Sequence, residues 1–308
     1  MHARAALGAM TVVTLLWAGN FTAAKYATAE IHWAAIAAIR ILSTAAVFSL
    51  FVPRGTFAST SWRSALALGL TGIVVNQLFF TWGIGLTTPS HSAIIHAMIP
   101  VWVMAGSAFL GERPGPRAIA GLALAVGGAT LLGLLAPAAE RRATLLGDGL
   151  TLLGMTSFSA YILLSRRVLT RDGAFATVTR AFVASVPFAV PMLAWGAMRT
   201  DWAAVTWKGW SGLAFMIVGA TFLCYSLHMW SLARLDALKV AVFTDAQPVL
   251  TAVIAQEFGV ERLTTTLAVA AAVVIAGVVL VQTSRGSRVP GPESRIAGNS
   301  GVAAPSDR

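Results

Sequence analysis

Two side chains able to exchange a proton stand inside apolar runs. His96 lies in "SAIIHAMIPVWVMAGSAFLGER" (92–113) and Asp245 in "VAVFTDAQPVLTAVIAQEFGVER" (240–262). An ionisable group at mid-depth in hydrocarbon costs about 2.5–3.5 kcal/mol on insertion scales, so it normally faces a cavity or a partner. Asp245 is then the first candidate for taking up a proton and His96 the second. An interior histidine that is merely hydrogen-bonded is the plain alternative. Each run also carries a proline. Pro100 follows His96 by four residues, and Pro248 follows Thr244, the equivalent of His96, by four. A mid-helix proline removes a backbone hydrogen bond and bends the helix, either as a packing kink or to free a carbonyl toward a cavity.

Other polar groups interrupt apolar sequence in the same way. Asn76-Gln77 and Cys224-Tyr225 stand 148 residues apart, and His228 follows Tyr225 by three, on the same helix face. Asn20, Arg40 and Tyr161 complete the set of candidate binding residues. Amide, phenol, imidazole and aromatic surfaces together suit a small amphipathic solute. Arg40 lies nine residues into its run, where it snorkels, pairs with an acid or holds an anionic carboxylate. Lys25 and Arg180 read as snorkelling cations. Trp82 and Trp230 read as interfacial anchors.

The elements that position these groups follow from composition. The chain has 308 residues, 57% hydrophobic and only 11% charged, with mean hydropathy +0.75. Soluble domains carry about 25% charged residues, so the expected class is an all-α polytopic membrane protein. Ten runs near 7–24, 32–52, 65–82, 91–110, 117–136, 148–168, 177–198, 210–232, 238–257 and 264–282 can each cross a bilayer. The N-terminal run continues into Lys25-Tyr26 without a small-residue cleavage site, so it reads as a span and not as a signal peptide. The segment 283–308, rich in Gly, Pro, Ser and Arg, reads as a disordered cytosolic tail.

The net charge of +10 belongs to loops that orient spans and touch anionic lipid, and no basic stripe points to nucleic acid. With the N-terminus in the cytosol, 14 of the 22 Lys and Arg fall on cytosolic segments and 6 on outer ones, Arg40 and Arg180 lying within spans. Both termini are therefore expected inside a cytoplasmic (inner) membrane. One cysteine, Cys224, allows no intramolecular disulfide. No metal site or cofactor is expected.

The two proline-containing runs are copies. A shift of 148 places Trp82 on Trp230, Ala93 on Ala241, Pro100 on Pro248 and Gly111 on Gly259, and one further residue brings Glu112-Arg113 onto Glu261-Arg262. Ten spans then divide into repeats at 1–136 and 148–282, joined by an outer loop at 137–147. Five is odd, so the second repeat is inverted, an arrangement used for alternating access around a midplane site. Gly121, Ala125, Ala129 and Ala268, Ala272, Ala276 form two small-residue ladders for close helix contact, within the monomer or at a homodimer seam.

Taken together, "LLWAGNFTAAKYA" (15–27), "AAIRIL" (37–42), "SAIIHAMIPVWVMAGSAFLGER" (92–113), "GLALAVGGATLLG" (121–133) and "VERLTTTLAVAAAVVIAGVVLVQ" (260–282) resemble the drug/metabolite transporter superfamily, of the EamA type. The resemblance covers about residues 7–282. It implies ten helices, two five-helix repeats, cytosolic termini and transport, usually export, of small metabolites or amino acids. Phe-Gly-Val-Glu-Arg in the second copy is one residue longer than the usual Leu-Gly-Glu-Arg. The rival readings are a membrane-embedded enzyme, for which no HExxH or GxSxG is present, and a sensor on a transporter-like scaffold.

Overall fold

The computed structural model describes residues 2–51, 61–109, 114–134, 141–172, 174–232 and 246–283, and among the described residues its regular structure is helical, with no strand. In a bilayer a helix satisfies its own backbone groups, which is why apolar runs of this length take that form. Helix α1 is His2–Glu30 and α2 Trp33–Phe51. Next come α3 (Trp62–Leu68), a first π-helical stretch (Gly69–Val75) and α4 (Asn76–Leu86), which follow one another without a break. Then come α5 (Pro89–Ala97), α6 (Ile99–Phe109), α7 (Pro116–Leu134), α8 (Arg141–Asp172) and α9 (Ala174–Ala197). Helix α10 (Trp207–Ala214) runs through a second π-helical stretch (Phe215–Leu223) into α11 (Cys224–Leu232). The last two are α12 (Gln247–Glu257) and α13 (Thr265–Thr283).

Six helical stretches among the described residues are long and apolar enough to cross a membrane: Ala5–Glu30, Trp33–Phe51, Trp62–Leu86, Phe175–Ala197, Trp207–His228 and Thr265–Thr283. Large apolar side chains such as Leu146, Leu153, Val190 and Val269 stay exposed along the helices, as lipid-facing positions do. The chain is a multi-pass membrane protein.

The run at 91–110 is not one bent helix. It breaks at Met98, and Pro100 occupies the first turn of α6. Pro248 likewise opens α12. In a first turn the missing proline N–H has no helical acceptor to lose, so each proline stands at a helix start and not within a continuous helix. Helix α8 begins at Arg141, inside the segment expected to be a loop. Glu112-Arg113 and the tail from 284 lie outside the described residues.

Four pairings dominate the packing: α7 with α13, α2 with α9, α8 with α4 and the first π-helical stretch, and α1 with α10, the second π-helical stretch and α11. Helix α1 also lies along α12 and touches α4 and α5. At the α7–α13 seam a Cβ on Gly121 would meet the Gly277 carbonyl oxygen at 2.6 Å, and one on Gly277 would meet the Ala125 nitrogen at 2.6 Å. The first ladder therefore makes the contact expected of it. The second makes no contact within the monomer: Ala268, Ala272 and Ala276 are exposed, the position a homodimer seam would need, and Ala270, Val274, Gly277 and Val281 form the buried face.

Candidate functional site

The polar centre is assembled from α1, α2, α4, α5 and the second π-helical stretch. The His96 ring stands edge-on to two aromatic rings, 4.9 Å from Phe21 and 5.3 Å from Phe80, at interplanar angles of 83° and 78°. Its Nδ1 is 2.7 Å from the Ser92 carbonyl oxygen. A carbonyl only accepts, so Nδ1 carries a proton and Nε2 is the atom left to meet a ligand. Arg40 is buried. Its Nη2 donates to Thr221 Oγ1 at 3.2 Å, and its guanidinium carbon is 5.8 Å from the Phe80 ring centroid. The Thr221 hydroxyl in turn donates a hydrogen bond to the Met216 carbonyl, five residues back, a spacing that belongs to the π-helical register. His96, Phe21, Phe80, Arg40 and Thr221 are thus one contiguous set, drawn from both halves of the chain.

Two carboxamide oxygens near this set carry an unmet demand. Asn20 Oδ1 and Gln77 Oε1 are buried and have no hydrogen-bond partner among the described residues. An unmet buried acceptor costs about 1–3 kcal/mol, and such groups are met by water or by a ligand donor. The neighbouring Asn76 turns away from them and donates to the Gly154 carbonyl on α8 at 3.2 Å. On the other side of α1, Trp17 lies 5.1 Å from the His228 ring and donates to the Ala220 carbonyl at 3.1 Å. Thr251 on α12 donates to the Ala18 carbonyl at 3.2 Å.

The other residues singled out in the sequence are placed as follows. Tyr161 lies on the face of Gly72 and stacks on Phe158 at 5.5 Å. The Tyr225 side chain, Thr244 and Asp245 lie outside the described residues. Arg180 is buried at 4% exposure and does not snorkel. Lys25 does not snorkel either: its Nζ donates to the carbonyls of Ile84, Gly85 and Thr87 at 3.2, 3.0 and 2.6 Å, and so caps the end of α4. Trp82 stacks on Trp33 at 4.8 Å and 8°. Trp230 is 37% exposed.

A second polar cluster escaped sequence reading. It lies at the end of the bundle where α4 finishes and α5 and α8 begin. Asp148 Oδ2 is 2.9 Å from His91 Nδ1, and its Oδ1 accepts from the Thr87 hydroxyl. The same end is tied elsewhere. Tyr26 Oη donates to the Phe258 carbonyl at 2.7 Å, the Ser90 N–H to Glu261 Oε2 at 3.0 Å, and Thr206 N and Oγ1 to the Glu30 carboxylate at 2.7 Å each. His91 and Asp148 are 57 residues apart, and only the topology brings them together. A cleft of about 250 Å³ lies nearby, lined by Met98, Trp102, Val126, Ala129, Leu145 and Asp148 among others.

Among the described residues no group of three or more metal-ligating side chains is assembled. A bundle of apolar helices around a buried polar centre reached from both halves of the chain defines a membrane transport protein. The sequence profile of the EamA-like transporter family matches twice, over residues 4–134 and 145–283, and the chain belongs to that family, within the drug/metabolite transporter superfamily. It is a membrane transporter and not an enzyme. It is similar to an uncharacterized transporter of Archaeoglobus fulgidus, with 23% identity over 281 residues that cover 90% of this chain and 98% of the relative. A solved structure described as "Crystal structure of protein" shares the fold, with TM-score 0.62, 20% identity and coverage of 90% of this chain and 96% of the other.

Proposed function

We propose that this protein is a secondary transporter that moves small metabolites, amino acids among them, across the cytoplasmic membrane by alternating access, with export as its direction. The observation that carries this reading is the packing pattern. Helix α1 grips the span containing the second π-helical stretch, α8 grips the span containing the first, and α2–α9 and α7–α13 pair with each other. Exchange of the two halves maps the first two of these pairings onto each other and each of the last two onto itself. The π-helical stretches end at Val75 and Leu223, 148 residues apart, and Pro100 and Pro248 open their helices at the same shift. This supports two inverted five-helix repeats, at 1–136 and 148–282, and ten spans with both termini in the cytosol.

In this reading the solute sits between the repeats. Asn20 and Gln77 offer acceptors for its N–H groups, His96 offers Nε2, and Phe21 and Phe80 offer aromatic edges. Arg40, held by Thr221, gives the site a positive charge. Asn76, Tyr161, Tyr225, His228, Thr244 and Asp245 complete the candidate set, with Asp245 and His96 as proton carriers. The test is uptake of a labelled panel of amino acids and metabolites into proteoliposomes, with and without a pH gradient. Saturable, protein-dependent flux of a panel member is expected, with a response to the gradient that Asp245→Asn removes. Absence of flux across the panel by folded protein would overturn the substrate class.

A further inference from the structure

The two π-helical stretches are matched in more than position. A π-helical turn is wider than an α-helical one, and its carbonyls sit off the usual ladder. Inside a membrane a carbonyl off the ladder is best met by another donor. In each stretch one carbonyl accepts from a side chain of the opposite half. Ser157 on α8 donates from Oγ to the Thr71 carbonyl at 2.7 Å. Trp17 on α1 donates from Nε1 to the Ala220 carbonyl at 3.1 Å. The acceptors coincide within one residue under the shift of 148. The donors coincide within one residue under the shift of 141 between the starts of the two family matches. Each contact also has a close-packed neighbour: the Tyr161 ring lies on Gly72, and the Phe215 ring lies 3.2 Å from where a Cβ of Gly19 would be.

We infer that Trp17 and Ser157 are positioning residues, each holding the π-helical stretch of the opposite half in its widened register, so that the stretches form a matched pair of hinges. The first stretch leads directly into Asn76 and Gln77. The second carries Thr221, which holds Arg40. Loss of either donor therefore loosens one hinge and leaves the other intact. The role of these hinges in transport rests on the alternating-access reading above, whereas the hinges themselves are testable without any solute.

The experiment is peptide-level hydrogen exchange on the full chain in nanodiscs, comparing wild type, Ser157→Ala, Trp17→Phe and Ser159→Ala. Ser159 serves as the control because among the described residues its hydroxyl bonds the Met155 carbonyl of its own helix and no other. Ser157→Ala is expected to speed exchange over 69–75 about fivefold, the equivalent of one neutral hydrogen bond, and to leave 215–223 unchanged. Trp17→Phe, which keeps a ring, is expected to do the reverse, and Ser159→Ala to do neither. Spin labels at the exposed positions 85 and 258 report bending, and their distance distribution is expected to broaden in both donor variants. Unchanged exchange in the facing stretch, equal acceleration in both stretches, or an unchanged distribution in both variants would overturn the inference. Should Trp17→Phe fail to fold, Ser157→Ala against Ser159→Ala decides the matter. A null flux panel leaves these outcomes untouched, so failure of the substrate assignment and failure of the hinges are separable.

Discussion

Two helix seams in this protein are held by different forces. Between α7 and α13 the backbones meet at Gly121, Ala125 and Gly277, with Ala118, Leu267, Val274 and Val281 packed around them. Between α1 and the second π-helical stretch the contact runs through polar groups: Trp17 to the Ala220 carbonyl, the Cys224 thiol 3.7 Å from the Val13 carbonyl, and Arg40 to Thr221 alongside. Lipid tails are as apolar as leucine, so neither seam gains much from the hydrophobic effect, and packing and hydrogen bonds decide. A dry, interlocked seam has one good arrangement, because sliding it forfeits dispersion contacts everywhere at once. A seam of side-chain-to-carbonyl bonds can exchange partners turn by turn. The α7–α13 seam is therefore the one that resists sliding, and one of the two hinges inferred above lies in the other.

The comparison breaks most sharply at the dry seam. Gly277→Leu places a branched side chain where a single Cβ already lies 2.6 Å from the α7 backbone. Overpacking costs about 1–3 kcal/mol and more where backbone must move, so the folded monodisperse fraction should collapse on size-exclusion chromatography. Ala276→Leu, on the exposed face of the same helix, should leave it intact. A Gly277→Leu protein that melts like wild type would mean that the seam is not close-packed.

A smaller loss is expected at the cluster where α5 and α8 begin. Asp148→Ala removes the acceptor of both His91 and Thr87. It should lower stability by roughly 1–3 kcal/mol, the cost of leaving buried donors unmet. Asp148→Asn keeps one acceptor and should recover part of that loss. Thermal melts in detergent order the three proteins, and equal melting of Ala and Asn variants would deny the cluster a hydrogen-bonding role.

The polar centre should behave in the opposite sense. Gln77 Oε1 is buried and unmet, so Gln77→Met removes a cost and not a contact. The melting temperature should hold or rise, by the equivalent of up to about 1 kcal/mol, while flux of whichever panel member is carried falls. A joint loss of stability and flux would place Gln77 in the scaffold and not in the site.

Much of this was legible in the sequence, and the reasons for the exceptions are physical. Apolar length and the 148-residue echo mark the membrane class, the family and the polar residues that interrupt the spans. A proline, however, reads the same whether it bends a helix or begins one, so the break at Met98 stayed hidden. Spacing of four puts Ala268, Ala272 and Ala276 on one face but does not say which face meets α7. Lys25 looked like a snorkelling cation because nothing local shows the three carbonyls that end α4, some sixty residues away. Arg40 with Thr221, 181 residues apart, needs the packed bundle. Among the acids, Asp148 opens an apolar run, a position where a carboxylate usually meets water, and its partner His91 gives no sign in sequence.

The smallest effect is expected outside both seams, at the turn between α1 and α2. His32 accepts from the Ala34 N–H through Nδ1 at 3.3 Å, and its ring meets Trp33 and Trp195 at 4.8 and 4.7 Å. Its pKa is held below the ordinary value of 6.5, first by burial and then by the positive charge of Arg199, which lies 4.7 Å over the Trp195 ring. Protonation at Nδ1 would also cancel the bond to Ala34, so the native state favours the neutral imidazole. Above pH 6.5 the ring is neutral folded and unfolded alike, and its contribution is fully present. As pH falls below 6.5 the unfolded chain takes the proton first, and stability drains away until the folded pKa is passed. Melting temperature should therefore decline between pH 7 and pH 5 with a slope that His32→Asn reduces, since Asn can still accept from Ala34 but does not titrate. The slope should be shallow beside the effects above, because the ring is only half-buried and one proton is involved. An identical slope in wild type and His32→Asn would assign the acid sensitivity to other groups.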